Sequence, residues 1–176
     1  TKLRQQVTKL KRKSDEWIGV YCDYKYQHPN KIVNFLGNHF RRPIGMEGDE
    51  RLIDNILLRQ LDCGGSSTLL IKTKTVKDID GFDPSFPRHQ DLEFLIRLLQ
   101  QGKLAYVDKP LVKKYDSGMS SAENVTNSVK KFNKKYSSLI SNRGLSKQTA
   151  QIQQFMIGKH QLNQGDLCSG LKSIID

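Results

Sequence analysis

Residues 81–102 read GFDPSFPRHQDLEFLIRLLQQG, and the pattern changes partway along. The first part reads as a loop, because Gly81, Pro84 and Pro87 interrupt any regular backbone pairing there. The second part reads as a helix over 88–101: Leu92, Leu95, Ile96 and Leu99 recur at offsets of about 0, 3, 4 and 7, and Gly102 supplies a stop. A helix with such a stripe must bury one face. Its partners are sought in both directions along the chain.

Downstream, residues 104–108 (LAYVD) predict a short strand that Lys109-Pro110 breaks, with 111–115 extending beyond. Upstream, Cys63-Gly64-Gly65-Ser66-Ser67 leads into a short apolar strand at 68–71 (TLLI), followed by a brief helix near 75–79. Further back, Leu52, Ile53, Ile56, Leu57 and Leu61 give 48–61 a helical period. The β-formers at 17–24 (WIGVYCDY) predict a strand, His28-Pro29-Asn30 a turn, and 31–36 (KIVNFL) a second strand that closes a hairpin. Residues 2–13 form an amphipathic helix with a basic remainder.

Beyond residue 120 the pattern turns wholly helical. Val125, Val129, Phe132, Tyr136 and then Leu139 or Ile140 share one stripe, and 151–163 with 167–175 predict a helical pair hinged at Gly165. No second copy of that pair exists, so a tetratricopeptide-like array has little support. The expected organisation is an α/β domain over 1–120 and a helical tail over 121–176.

The 29 Lys and Arg residues against 18 Asp and Glu give a net charge of +11, which would attract nucleic acid, anionic lipid, nucleotide diphosphates or acidic saccharides. Much of the excess lies in 1–13 and in 130–135 (KKFNKK); each run reads either as a solvated helix face or as a membrane or polyanion contact. Cys22, Cys63 and Cys168 stand far apart with no CxxC pair, which excludes a zinc knuckle and a disulfide framework and favours a reducing, cytoplasmic compartment. No stretch approaches the roughly 18 consecutive apolar residues of a membrane span, and no signal peptide is recognisable. The chain starts at Thr1 inside an amphipathic pattern without a capping lead-in, so it is expected to continue a longer sequence.

The order from residue 64 to 115 resembles that of family 2 glycosyltransferases. In that family a GGFDE-type turn precedes an ED-type motif on a helix, and a strand follows that ends in a "vdepL"-type turn; here these are Gly81-Phe82-Asp83, Gln90-Asp91 and Asp108-Lys109-Pro110-Leu111. The resemblance implies a partial GT-A (Rossmann-like) domain, the acceptor-side half, with an α-helical C-terminal appendage. It implies inverting transfer from a nucleotide-sugar donor to a hydroxyl of a saccharide or lipid-linked acceptor, with peripheral membrane contact open to the 130–135 cluster. Asp91 matches the catalytic base. Gln90 stands where the family has Glu, and Asp80 replaces the first glycine of the turn, departures that bear on acceptor class.

Gly64, Gly65, Ser66, His89, Gln90, Glu93 and Arg97 are the expected substrate-binding residues. Each has a plainer reading beside it: a strand-entry turn for Gly64, Gly65 and Ser66, a local hydrogen-bonding histidine at 89, and a surface pair between Glu93 and Arg97 worth a few tenths of a kcal/mol. A carboxylate in the first turn of a helix meets orphan backbone NH groups and the positive end of the dipole, which keeps a base ionised. Asp78-Ile79-Asp80 has DxD spacing but sits beside the GFD turn, the wrong place for metal. The resemblance puts the DxD that holds a divalent cation (Mn²⁺ or Mg²⁺) upstream of Lys2, and this chain alone is then expected to show little or no transferase activity. The competing readings are a basic nucleic-acid or polyanion-binding module, which lacks any RNA-binding, helix-turn-helix or zinc-finger signature, and a scaffold made by the helical tail.

Overall fold

The structure, a computed structural model, describes residues 1–28, 31, 45–61, 63–86, 88–115, 121–168 and 172. In chain order the elements are α1 (Lys2–Lys11), β1 (Trp17–Gln27), α2 (Leu52–Leu57), a 3-10 turn (Ser66–Thr68), β2 (Leu69–Ile71), α3 (Thr73–Asp78), α4 (Gln90–Leu99), β3 (Lys103–Tyr115), α5 (Ala122–Asn142) and α6 (Ser146–Asn163). Among the described residues this is a mixed α/β fold of six α-helices and one three-stranded sheet.

β1 is the middle strand. It pairs antiparallel with β2, Val20 opposite Leu70, and parallel with β3, Val20 opposite Ala105. Its residues 18–22 are all buried, so both faces of the sheet are covered, as a near-continuous apolar run requires. α1 packs on β1 and β3 through the buried Gln6, whose amide donates to the carbonyl oxygens of Thr68 (2.7 Å) and Val20 (3.3 Å). Thr1 caps α1 after all, its Oγ1 accepting from Arg4 N.

Two expectations are corrected by non-local contacts. Lys109-Pro110 does not break the strand: Cys22 faces Val107 and Asp23 faces Pro110, so Asp108 and Lys109 bulge out and β3 runs on to Tyr115. A bulge on an edge strand tolerates a proline that has no NH to give. α2 is shorter than the 48–61 period suggests. Gly48 exchanges backbone hydrogen bonds with Leu104 (3.0 and 2.8 Å) and is unavailable to a helix, whereas Leu61 is buried without being helical. The hairpin partner at 31–36 and most of 167–175 lie outside the described residues.

One apolar cluster joins Ile18 and Tyr21 of β1, Leu52 to Leu57 of α2, Phe94 to Leu99 of α4, Leu104 of β3 and Phe132, Tyr136 and Ile140 of α5. The stripe expected on α4 is therefore wider than four positions: Phe94 and Leu98 are buried too, while Leu92 is only half-buried. Position 120, where the boundary is expected, lies in sequence between β3 and α5, and Phe132, Tyr136 and Ile140 of α5 share one apolar cluster with the α/β part. α5 and α6 are joined by a reciprocal amide pair, Asn133 with Gln153, both bonds 2.8 Å. No helix among the described residues is long and apolar enough to cross a membrane.

Candidate functional site

The turn that enters β2 is built on two glycines. Gly64 has φ +70° and Gly65 φ +80°, in the left-handed region that an L side chain rarely adopts. A Cβ on Gly64 would lie 2.2 Å from the ring of Tyr24. A Cβ on Gly65 would lie 3.3 Å from Oδ2 of Asp91, a tight contact, and 3.8 Å from Nζ of Lys114. The buried Thr68 holds this turn, its hydroxyl sharing one proton between the carbonyls of Cys63 and Gly65.

The start of α4 faces that turn. His89, the N-cap, has φ +62° and makes no side-chain capping bond. Gln90 instead reaches back and donates from Nε2 to the carbonyl of Phe86 (2.6 Å), which fixes the loop before the helix. The amide makes sense of Gln at this position, because a carboxylate would have no hydrogen to give the carbonyl. Asp91 accepts from the NH of Leu92 through Oδ1 (3.0 Å), and Oδ2 has no hydrogen-bond partner among the described residues.

These pieces enclose an open cavity of about 510 Å³ lined by Gly64, Gly65, Ser66, Ser67, Phe82, Arg88, His89, Gln90, Asp91 and Lys114. Six of the eight expected site residues are thus brought together: Gly64, Gly65, Ser66, His89, Gln90 and Asp91. Phe82 is 42% exposed at the rim and stacks on Phe94, centroids 4.2 Å apart. Lys114 lies over the ring of Tyr24, 5.2 Å from its centroid. Burial, reinforced by the charges of Arg59, Arg88 and His160, pushes the His89 imidazole down to about 3 and leaves it neutral near pH 7. Its Nε2 is buried without a hydrogen-bond partner among the described residues.

Glu93 and Arg97 are elsewhere. Glu93 is 0% exposed and points towards α5, where it accepts from Lys135 (2.7 Å) and the Tyr136 hydroxyl (3.1 Å). Arg97 grips it with two bonds (2.6 and 2.7 Å) and donates also to the carbonyls of Ile79 and Gly81. The pair is therefore not a surface pair, and neither residue lines the cavity. Burial raises the Glu93 pKa, but the hydrogen bonds from Arg97 and Lys135 and their charges outweigh it and leave it lowered. Lys135 also pairs with Asp83 (3.0 Å), and Lys131 donates to Ser85 O (2.8 Å), so two lysines of the 130–135 run anchor the 81–86 loop.

Sequence reasoning did not select Lys114, Arg88 or Phe82 as site residues. Arg88 adjoins His89, and Phe82 lies in the Gly81-Phe82-Asp83 turn that carries part of the resemblance. Lys114 carries no local signal, since only the parallel pairing of β3 with β1, Lys114 opposite Tyr26, brings it to the cavity. Asp78 and Asp80 are exposed at the end of α3, and no group of three or more His, Cys, Asp or Glu among the described residues is placed to hold a metal ion. The divalent cation implied by the family resemblance thus has no ligand set in this site, and no chemical step is assigned to it. Comparison with family models, with curated proteins and with solved structures finds no match to this chain.

Proposed function

We propose that this chain supplies the acceptor side and the catalytic base of an inverting glycosyltransferase similar to family 2, its α/β core being the C-terminal part of a GT-A type domain. One observation carries the reading. The Gly64-Gly65-Ser66-Ser67 turn and the Gln90-Asp91 helix start, the second of which carries the resemblance, close around one cavity together with Phe82 of the Gly81-Phe82-Asp83 turn, with a carboxylate oxygen of Asp91 left without a hydrogen-bond partner among the described residues. In the reaction an acceptor hydroxyl gives its proton to Asp91 while its oxygen attacks the anomeric carbon of the donor sugar. The bond from that carbon to the diphosphate breaks, the nucleoside diphosphate leaves with the electron pair, and the anomeric configuration inverts. Gly65 leaves room for the acceptor to approach the base, and Ser66 and Ser67 offer hydroxyls for its other oxygens.

The polyanion-binding alternative loses part of its charge, because Lys131 and Lys135 are committed to Ser85, Asp83 and Glu93. The decisive assay is sugar transfer by the natural-length protein from UDP-, GDP- and dTDP-sugars with Mn²⁺, wild type against Asp91→Asn. Transfer that Asp91→Asn abolishes supports the reading. Tight binding of a nucleotide sugar in the cavity itself would show that the site takes the donor and would overturn it.

A further inference from the structure

The charges in the cavity are unevenly distributed. Asp91 is the only carboxylate among the described lining residues, Lys114 is a cation, and Arg88 is a second one that has a partner of its own. His89 adds no charge near neutral pH. Asp91 forms no ion pair with Lys114 although both face the gap left by Gly65. Lys114 has no carboxylate partner among the described residues; its ammonium lies 5.2 Å from the centroid of the Tyr24 ring, a contact that positions the charge and leaves its hydrogen-bonding capacity to solvent and ligand. A base and a cation on either side of one gap suit a ligand that presents a hydroxyl to the first and a negative group to the second. Phe82 adds an apolar ring at the rim, against which the CH face of a sugar can lie. The volume, about 510 Å³, lies within the range of small-molecule sites.

From this arrangement we infer that the acceptor is an anionic saccharide, a sugar carrying a phosphate or carboxylate group, whose charge is read by Lys114 while its hydroxyl meets Asp91. The inference rests on the glycosyltransferase reading and narrows it to a substrate class. Lys114 acts as a specificity residue, tightening the charged acceptor and leaving a neutral one unaffected.

The test is titration of the chain, followed by backbone NMR, with a hexose phosphate, a hexuronic acid, the neutral hexose and inorganic phosphate, for wild type, Lys114→Gln and Phe82→Ala. The expected result is that one charged sugar binds at least about tenfold tighter than the neutral hexose and than inorganic phosphate, shifting resonances of Gly65, Asp91 and Lys114. Lys114→Gln is expected to weaken the charged sugar about tenfold and the neutral hexose not at all. The phosphate and uronate arms tell which anion is preferred. Equal binding of neutral and charged sugars, or equal loss in Lys114→Gln, overturns the inference while leaving the transferase reading standing. Inorganic phosphate binding as tightly as the sugar phosphate reveals a bare anion site and overturns it too. Failure of every sugar to bind removes the acceptor assignment itself, and the inference with it.

Discussion

Nζ of Lys135 on α5 lies 2.7 Å from Oε1 of Glu93 on α4, joining a fully buried carboxylate to a lysine 35% exposed. The contact matters because Asp91 lies two residues before Glu93 in the same first turn of α4, so the angle at which its carboxylate meets the cavity depends partly on a residue 42 positions further along the chain.

Removing Glu93 should therefore cost more than removing its exposed partner. Glu93→Gln leaves Arg97 and Lys135 facing a neutral amide in a buried setting, and a loss of about 3 kcal/mol in urea unfolding is expected. Lys135→Met is expected to cost about 1 kcal/mol, because Arg97 still neutralises Glu93 and solvent screens the outer lysine. Equal costs would mean that Glu93 owes its burial to packing and not to the ion pairs.

The two glycines of the 64–67 turn separate fold from site. Gly64→Ala meets both the backbone penalty at φ +70° and the Tyr24 ring, and about 3 kcal/mol of destabilisation is expected. Gly65→Ala meets the backbone penalty, about 1 kcal/mol, and puts a methyl group against Asp91 Oδ2, a side-chain end that can shift, and beside Lys114. Thermal melts should rank Gly64→Ala as the less stable, while ligand titrations should show that Gly65→Ala, still folded, has lost binding.

This contrast also marks how far the sequence could be read. Gly64, Gly65, Gln90 and Asp91 were legible because each belongs to a short pattern with its own local chemistry, a small-residue turn or a helix start. Lys114 was not, because it reaches the cavity through strand pairing between residues far apart in sequence. Glu93 and Arg97 were misread for the same reason: a spacing of four predicts a surface pair, and only Lys135 and Tyr136, from another helix, bury it. The helix over 48–61 was shortened by Gly48 pairing with Leu104, again a long-range contact that overrides a local period. Among the described residues, the longer helices follow from apolar periodicity and the strands from runs of β-formers and apolar residues, both local properties of the chain.

His89 makes stability depend on pH in a definite direction. Its imidazole is neutral in the folded protein down to about pH 3 but takes a proton below about 6.5 when unfolded. Between these values the unfolded state binds more protons, so stability falls as pH falls, by up to about 1.4 kcal/mol per unit. Glu93, whose pKa is lowered, contributes stability above the unfolded carboxylate value, and that contribution is lost at lower pH as Glu93 is protonated. His89→Asn keeps a residue that tolerates positive φ and removes the titrating ring. Urea midpoints measured from pH 7 to pH 4.5 should fall less steeply for this variant, and parallel curves would remove His89 as the cause.

Asp91→Asn and Gln90→Glu, on adjacent residues, should fail in different ways. Asparagine at 91 keeps an oxygen to accept from Leu92 NH, so the melting temperature should hold while transfer by the natural-length protein falls by about 10²–10⁴-fold, the usual contribution of a positioned base. Glutamate at 90 loses the donor to Phe86 O and sets a carboxylate against that carbonyl, at a cost of about 1 kcal/mol or more. It also adds a second negative charge beside Asp91, so a charged acceptor should bind more weakly while a neutral one is little changed. If Gln90→Glu is neutral in stability and leaves charged acceptors untouched, the 2.6 Å bond to Phe86 is not what holds the loop, and the charge in the cavity is not what selects the acceptor. A variant that keeps its fold but loses turnover at 91, beside one that loses stability and charge preference at 90, would separate the base from the group that shapes its surroundings.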